Sequence, residues 1–312
     1  MDKLVSVVIP TSASRDRYLK RALMSVEKQE YSNLEITVVI DGGSAETKSM
    51  IKDLPLQLPV KIIETDGKVG GSEARNIGVR ESKGDFVALL DDDDEWYSDK
   101  ILSQLQLIAS EGLTEDDDFL CFTSLHRYKE ITDANYQKIP NVDYKDSGKT
   151  RISEYLFETK GLRNIGFIQT STVLVPRRVL LESPFTKGLP KHQDWDWLLK
   201  VDREHSLKII QVLEPKIIYH SDIPAGQRVG YVNRWRFTEE WLESHRDYFS
   251  QNGYESFVLN YVLEGINTDN TLTVEQRDGE IKKRLRKLST RMRFSPYGLK
   301  MWVYRKKERR NK

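Results

Sequence analysis

Short apolar runs dense in β-branched residues recur through the first ninety residues, with a helically spaced stretch or a turn between each and the next. "LVSVVIP" (4–10), "LEITVVI" (34–40), "VKIIE" (60–64) and "DFVALL" (85–90) read as strands. Between the first two, "RYLKRALMSVEKQ" sets Tyr18, Leu19, Ala22, Leu23 and Val26 on one helical face. "MIKDL" ends a short helix before Pro55, "SEARNIGVRES" is helical with Gly84 as its expected stop, and "DKILSQLQLIAS" is the next helix. Strands alternating with helices at this spacing predict βαβ units, hence an α/β fold around a mostly parallel sheet.

In such sheets ligands bind in the crevice beyond the carboxyl ends of the strands. The turn after the first strand, "PTSASRD", contains no glycine, so the dinucleotide-binding G-x-G-x-x-G is absent, and so is any G-x-x-x-x-G-K-[ST] phosphate loop. What the strand ends do carry is acid: Asp41 after the second, and Asp91, Asp92, Asp93 and Asp94 after the fourth, in "FVALLDDDDEW". Four adjacent carboxylates raise one another's pKa and call for a cationic partner. Asp91 and Asp93, at alternating positions, suit a hard divalent cation, Mn²⁺ or Mg²⁺, completed by phosphate oxygens and water. A solvated acidic turn is the other reading of the same residues.

Four segments in order, "VSVVIPT", "SVEKQEYSNLEITVVIDGGS", "GGSEARNIGVRESKGDFVALLDDDDEW" and "QDWDWLLKV", resemble the successive signatures of the family 2 inverting glycosyltransferases of GT-A fold, of the kind that build bacterial surface polysaccharides. The resemblance runs from about Val5 to Val201. It implies a nucleotide-sugar donor, usually UDP-linked, and a divalent metal. It places Thr11 at the nucleobase and ribose, Asp41 at the base, and Arg75 near the donor phosphates or base. Asp91 falls at the ribose or donor sugar and Asp93 at the metal, with Asp92 and Asp94 secondary. Many relatives have a second acid where this chain has Gly42, which weakens the case for uridine over other bases.

Inverting transfer also needs a base for the acceptor hydroxyl. In "KHQDWDWLLKV", Trp195, Leu198 and Leu199 are expected to face the core, leaving Asp194 beside them at the start of a helix, whose dipole favours an ionised carboxylate. Relatives carry an acidic residue followed by the catalytic aspartate here; with Gln193 in the first place, Asp194 inherits the role of base. Asp196 is its rival, and helix-end charge complementation is the structural use of either. His220 reads as a metal or phosphate contact or as an ordinary hydrogen-bonded histidine. Arg228, in the loop "SDIPAGQRVG", reads as a lid residue reaching the diphosphate or as an idle surface arginine.

The rest of the chain is less regular. "DDDFLCFTSLHRYKE" and "FIQTSTVLVP" suggest strands, the intervening "ITDANYQKIPNVDYKDSGKT" a polar loop, and "LKIIQVLEPKIIYH" a pair of strands. A boundary in 221–230 divides a catalytic domain, 1–225, from a helical region, 226–312. Within the latter, residues 281–312 hold fourteen Lys or Arg against Glu308 alone, so a chain of net charge +1 is about twelve units negative elsewhere. These cations alternate with Leu285, Leu288, Met292, Phe294, Leu299, Met301 and Trp302. Two readings stand: an anionic membrane surface as partner, or a solvated helix packed on its own domain. No nucleic-acid module is recognisable.

Cys121, in "FLCF", suits a buried thiol, and no disulfide can form within the chain. The N-terminal apolar run is too short for a signal peptide, and none approaches the roughly 20 residues that span a bilayer. The expectation is a cytoplasmic enzyme, peripheral at the inner membrane face, that transfers sugar to a hydroxyl of a glycan or lipid-linked acceptor. The alternatives are a sugar nucleotidyltransferase, for which the first turn lacks the Gly-rich basic loop, and a non-catalytic membrane-associated binder of nucleotide-sugars.

Overall fold

The computed structural model describes residues 2–128, 137–160, 163–221, 232–296 and 298–301; Arg228 and residues 302–312 lie outside them. In chain order the elements are β1 (Val5–Ser12), α1 (Asp16–Glu27), β2 (Leu34–Asp41), α2 (Ala45–Lys52), β3 (Val60–Glu64), α3 (Gly71–Glu81), β4 (Phe86–Leu89), β5 (Glu95–Trp96), α4 (Lys100–Ser110), β6 (Phe119–Tyr128) and β7 (Gln137–Ile139). There follow α5 (Ile152–Phe157), β8 (Thr159–Lys160), β9 (Arg163–Asn164), β10 (Leu174–Pro176), α6 (Arg177–Glu182), α7 (Gln193–His205) and β11 (Lys208–His220). The chain then turns helical: α8 (Trp235–Ser244), α9 (Gln251–Phe257), α10 (Glu264–Asn267), α11 (Val274–Leu285) and α12 (Thr290–Arg293).

These elements form two compact units. The first, residues 1–146 with 168–223, is built on a nine-stranded sheet of order β3-β2-β1-β4-β10-β6-β11-β5, with β7 on β6. The long ladders β3-β2, β2-β1, β1-β4 and β6-β11 are parallel, as the alternation predicts. The short strand β10 enters antiparallel between β4 and β6, and β5 and β7 also pair antiparallel. All of β4 is fully buried, as its unbroken apolar run requires of a central strand. On α1, Leu19, Ala22, Leu23 and Val26 face the core, whereas Tyr18 is half-buried, with the guanidinium groups of Arg15 and Arg21 at 5.4 and 5.9 Å from its ring.

Four local expectations change. The segment 208–220 is one long strand, irregular around Pro215, rather than a pair. In "FIQTSTVLVP" only Leu174–Pro176 is strand; Thr170–Thr172 form a 3₁₀ turn that carries site residues. The polar loop contains β7 and a 3₁₀ turn at Lys145–Ser147. Gly84 is not the stop of α3, which ends at Glu81 with Ser82 Oγ on the Val79 carbonyl (2.8 Å). Gly84 is needed because the chain crosses β1 closely: a Cβ there would lie 2.5 Å from Ser6 Oγ and 2.7 Å from Ser6 N. Gly84→Ala is expected to destabilise this unit by about 1–3 kcal/mol through overpacking, seen as a lower midpoint in calorimetric melting.

The second unit comprises 147–167 and 224–312; the expected cut at 225/226 leaves 147–167 on the other side. Its centre is aromatic. Phe157, fully buried at the end of α5, lies 5.2 Å from the Phe249 ring and 5.0 Å from that of Phe257. A π-helical stretch, Val258–Leu263, joins α9 to α10, and its Asn260 donates to Asn164 Oδ1 at 3.0 Å. Among the described residues no helix is long and apolar enough to cross a membrane.

Candidate active site

Because β1, β2 and β4 run parallel, Thr11, Asp41 and the aspartate run all fall at the same edge of the sheet. The four aspartates are parted by a turn, Asp94 N–H donating to the Asp91 carbonyl (3.2 Å), and each carboxyl has its own surroundings. Asp91 Oδ1 accepts from Arg75 Nη2 (2.5 Å), and its Oδ2 from Gln169 Nε2 (2.9 Å) and Thr170 Oγ1 (2.8 Å). Asp92, buried, accepts from Thr11 Oγ1 (2.6 Å) and from Arg15, whose Nε and Nη2 lie 2.6–2.9 Å from its two oxygens. Arg15 Nη2 also reaches Asp93 Oδ2 (2.9 Å). Arg15 and Arg75 are thus the cations the run requires. Burial alone would push Arg15 down, but Asp92 and Asp93 hold it above its ordinary value.

Among the described residues Asp94 has no cationic partner. It is buried, with Oδ2 accepting from Ser171 Oγ (2.6 Å) and Gln169 Nε2 (2.8 Å). Burial, then the charges of Asp93 and Asp91, raise it well above the ordinary carboxylate range, against the hydrogen bonds from Ser171 and Gln169. The turn that grips Asp91 and Asp94 is itself pinned from behind. Trp96 Nε1 donates to the Ser171 carbonyl and Gln104 Nε2 to that of Thr172, both at 3.1 Å. Gln104 in turn accepts from the buried Lys100 (2.7 Å), which burial lowers to about 7.

Arg75 also ties the aspartate run to α7. Its Nη1 donates to Gln193 Oε1 (3.1 Å), and a Cβ on Gly71 would sit 2.9 Å from that same oxygen, so glycine is what lets the two helix starts approach. Asp194 follows Gln193. It is half-buried, and its Oδ1 accepts from Trp195 N–H (3.0 Å). Burial first, then the charge of Asp91, raise it to about 6, against the opposing pull of Trp195 N–H and Arg75. The two acidic centres are therefore within electrostatic reach of one another. Asp196 is buried on the far side of the first turn. Trp195, expected in the core, is half-buried and stacks on His192 (4.7 Å); Trp197 takes the core place, parallel to Phe185 at 5.0 Å.

The remaining sequence candidates have protein partners. Asp41 accepts from the N–H groups of Val69 (2.6 Å) and Gly70 (3.0 Å), which moors the glycine loop before α3. Gly42 and Gly43 have φ of +92° and +63°, so that turn favours glycine over a second acid. His220 Nε2 lies 2.7 Å from Glu95 Oε1, which also meets Arg21 Nε (3.1 Å). Cys121 is buried and pushed up to about 12 by burial, a core thiol. Arg15, Gln169, Thr170 and Ser171 are site residues that sequence reasoning missed. The visible signal was a run of uncharged polar residues, "QTST", inside an apolar stretch, which when buried must have dedicated partners.

The donor set suits a phosphate-completed cation. Asp93 is half-buried and, among the described residues, its carboxyl meets only Arg15, whereas both oxygens of Asp91 are already engaged. Among the described residues no three His, Cys, Asp or Glu groups converge as a metal cage. One or two carboxylates with diphosphate oxygens and water is the usual Mg²⁺ or Mn²⁺ arrangement.

The sheet and its flanking helices superpose on solved GT-A glycosyltransferases, which defines the fold, and the family match makes the chain an enzyme drawing on a nucleotide-sugar donor. Residues 6–180 match Glycosyl transferase family 2, and the chain belongs to that family. It is 26% identical over 306 residues to the amylovoran biosynthesis glycosyltransferase AmsB of Erwinia amylovora, covering 92% of this chain and 97% of that one. It is 23% identical over 270 residues to the UDP-Glc:α-D-GlcNAc-diphosphoundecaprenol β-1,3-glucosyltransferase WfgD of Escherichia coli, covering 85% and 94%. The mannosyltransferase PcManGT of Pyrobaculum calidifontis, solved with GDP-Man and Mn²⁺, superposes with a TM-score of 0.57 at 16% identity over 97% of this chain and 84% of that one. Membership sets aside the nucleotidyltransferase and non-catalytic readings.

Proposed function

We propose that this glycosyltransferase works with inversion, Asp194 taking the proton from an acceptor hydroxyl as its oxygen attacks the anomeric carbon of a nucleotide-diphospho-sugar. The observation that carries the reading is Arg75, bonded at one end to Asp91 and at the other to Gln193, the neighbour of Asp194. That tie supports donor and base lying within one reaction centre. A carboxylate raised to about 6 is ionised at neutral pH yet more basic than an exposed aspartate, as a general base should be. Thr11, Asp41, Arg75, Asp91 and Asp92 form the donor side, Arg75 orienting the phosphates and Asp91 the ribose or sugar. Asp93, helped by Asp91, would hold Mn²⁺ or Mg²⁺, whose chemistry is neutralisation of charge on the departing diphosphate.

UDP is the favoured nucleotide, on the strength of the Escherichia coli relative, with GDP the competitor raised by the archaeal structure. The same relative's diphosphoundecaprenol substrate supports a lipid-linked acceptor, and with it a cytoplasmic enzyme working at a membrane face.

The test is the pH dependence of kcat/KM for the acceptor, with product configuration read by NMR. Asp194 is protonated below its raised pKa and cannot accept a proton, and Asp93, also raised to about 6, must be ionised to hold a cation, so activity is expected to fall at least about tenfold per pH unit below about 6 and to level off above it. The product anomer is expected to be inverted. A flat profile down to pH 4, or a retained anomer, would overturn the assignment.

A further inference from the structure

Helix α11 is two-sided. Ile281, Arg284 and Leu285, with Leu288 beyond, are buried, while Lys283, Arg286 and Lys287 stand exposed on the opposite face at i, i+3, i+4 spacing. Exposed Arg291 follows in α12. The acids near these cations are taken by others: Arg284 grips Glu239 and Glu280, and Lys282 pairs with Asp278 at 2.8 Å. Lys283, Arg286, Lys287 and Arg291 form no direct ion pair among the described residues, Lys283 acting on Glu280 only at longer range. Immediately after α12 come the two most conspicuous apolar side chains of this stretch, Phe294 at 66% exposed and Leu299 at 47%. The corner they occupy is tightly built. Arg293 donates to the Leu288 and Arg286 carbonyls (2.8 and 2.7 Å), and a Cβ on Gly298 would lie 2.3 Å from the Arg293 carbonyl oxygen.

We infer that α11, α12 and the 294–299 corner form a docking surface for an anionic lipid bilayer, with Lys283, Arg286, Lys287 and Arg291 over the headgroups and Phe294 and Leu299 inserted at the acyl boundary. Unpartnered cations alone would fit any polyanion. The exposed phenyl and isobutyl groups decide for a bilayer, because an interface that accepts both charge and apolar surface is what an acidic membrane offers and a soluble polyanion does not. The proposal takes its purpose, not its existence, from the reading of a lipid-linked acceptor.

Co-sedimentation of the full chain with vesicles of phosphatidylcholine, alone or mixed with phosphatidylglycerol, tests it. Binding is expected to the mixed vesicles only. Each of Lys283→Ser, Arg286→Ser, Lys287→Ser and Arg291→Ser is expected to weaken it by about fivefold, and Phe294→Ser with Leu299→Ser by at least about tenfold. Transfer to a short water-soluble acceptor should be unaltered in all of them, which shows that the variants fold and reports on the active site separately. The inference fails if mixed vesicles are not bound, if binding ignores these substitutions, or if the chain binds RNA or heparin in a way the two apolar substitutions leave intact while vesicles are ignored.

Discussion

Asp194→Asn is expected to lower transfer by about 10²- to 10⁴-fold, the range for loss of a general base, while nucleotide-sugar binding measured by calorimetry stays within a few-fold. Asparagine keeps the shape of the side chain and its acceptor oxygen for Trp195 N–H, so the start of α7 need not rearrange. The fold should tolerate the change and even gain by it. Asp194 has a folded pKa of about 6, above its ordinary 3.8, so above pH 6 the folded chain holds a charge that burial and Asp91 both disfavour. A neutral amide removes that cost, and the melting temperature at pH 7 should rise. Lost turnover with raised stability is the signature of a base held against its environment. If Asp194→Asn turns over normally, Asp196 becomes the residue to test.

Asp93→Ala is expected to cost about three orders of magnitude in kcat, the scale of charge stabilisation at a departing diphosphate. The direct readout is Mn²⁺ affinity in the presence of nucleoside diphosphate, followed by paramagnetic resonance, which should collapse in the variant. Chelation of divalent ions should reproduce the loss in the parent chain and leave the variant unchanged. Asp93 is raised to about 6 by burial and by Asp92 and Asp91, against Arg15, so removing it also relieves repulsion within the run. The alanine variant should therefore fold. Tight Mn²⁺ binding surviving in Asp93→Ala would move the metal to Asp91 and require Arg75 to release it.

The parts of this molecule that were legible beforehand are those whose cause is local. Unbroken β-branched runs specify β1, β2 and β4 because a strand buried on both faces needs little else, and their parallel order puts Asp41 and Asp91 to Asp94 at one edge. What stayed hidden depends on partners far along the chain. Gln169, Thr170 and Ser171 look like strand until Asp91 and Asp94, more than seventy residues earlier, are in place to accept from them. Arg15 lies in the turn after the first strand, and only the fold brings it onto Asp92. On α7 the periodicity of Trp195 and Trp197 allows either to face inward; the flat packing of Trp197 on Phe185 decides it.

Residues 147–167 leave the sheet, join the helices, and return directly into the turn that holds Asp91. The polypeptide is consequently threaded back and forth, and no single cut yields two self-sufficient pieces. A chain ended near residue 225 would keep Phe157 yet lack Phe249 and Phe257, the rings packed against it, and so would leave an apolar side chain without its cover. Any exchange of the helical unit must therefore carry the 147–167 excursion along with the helices it belongs to.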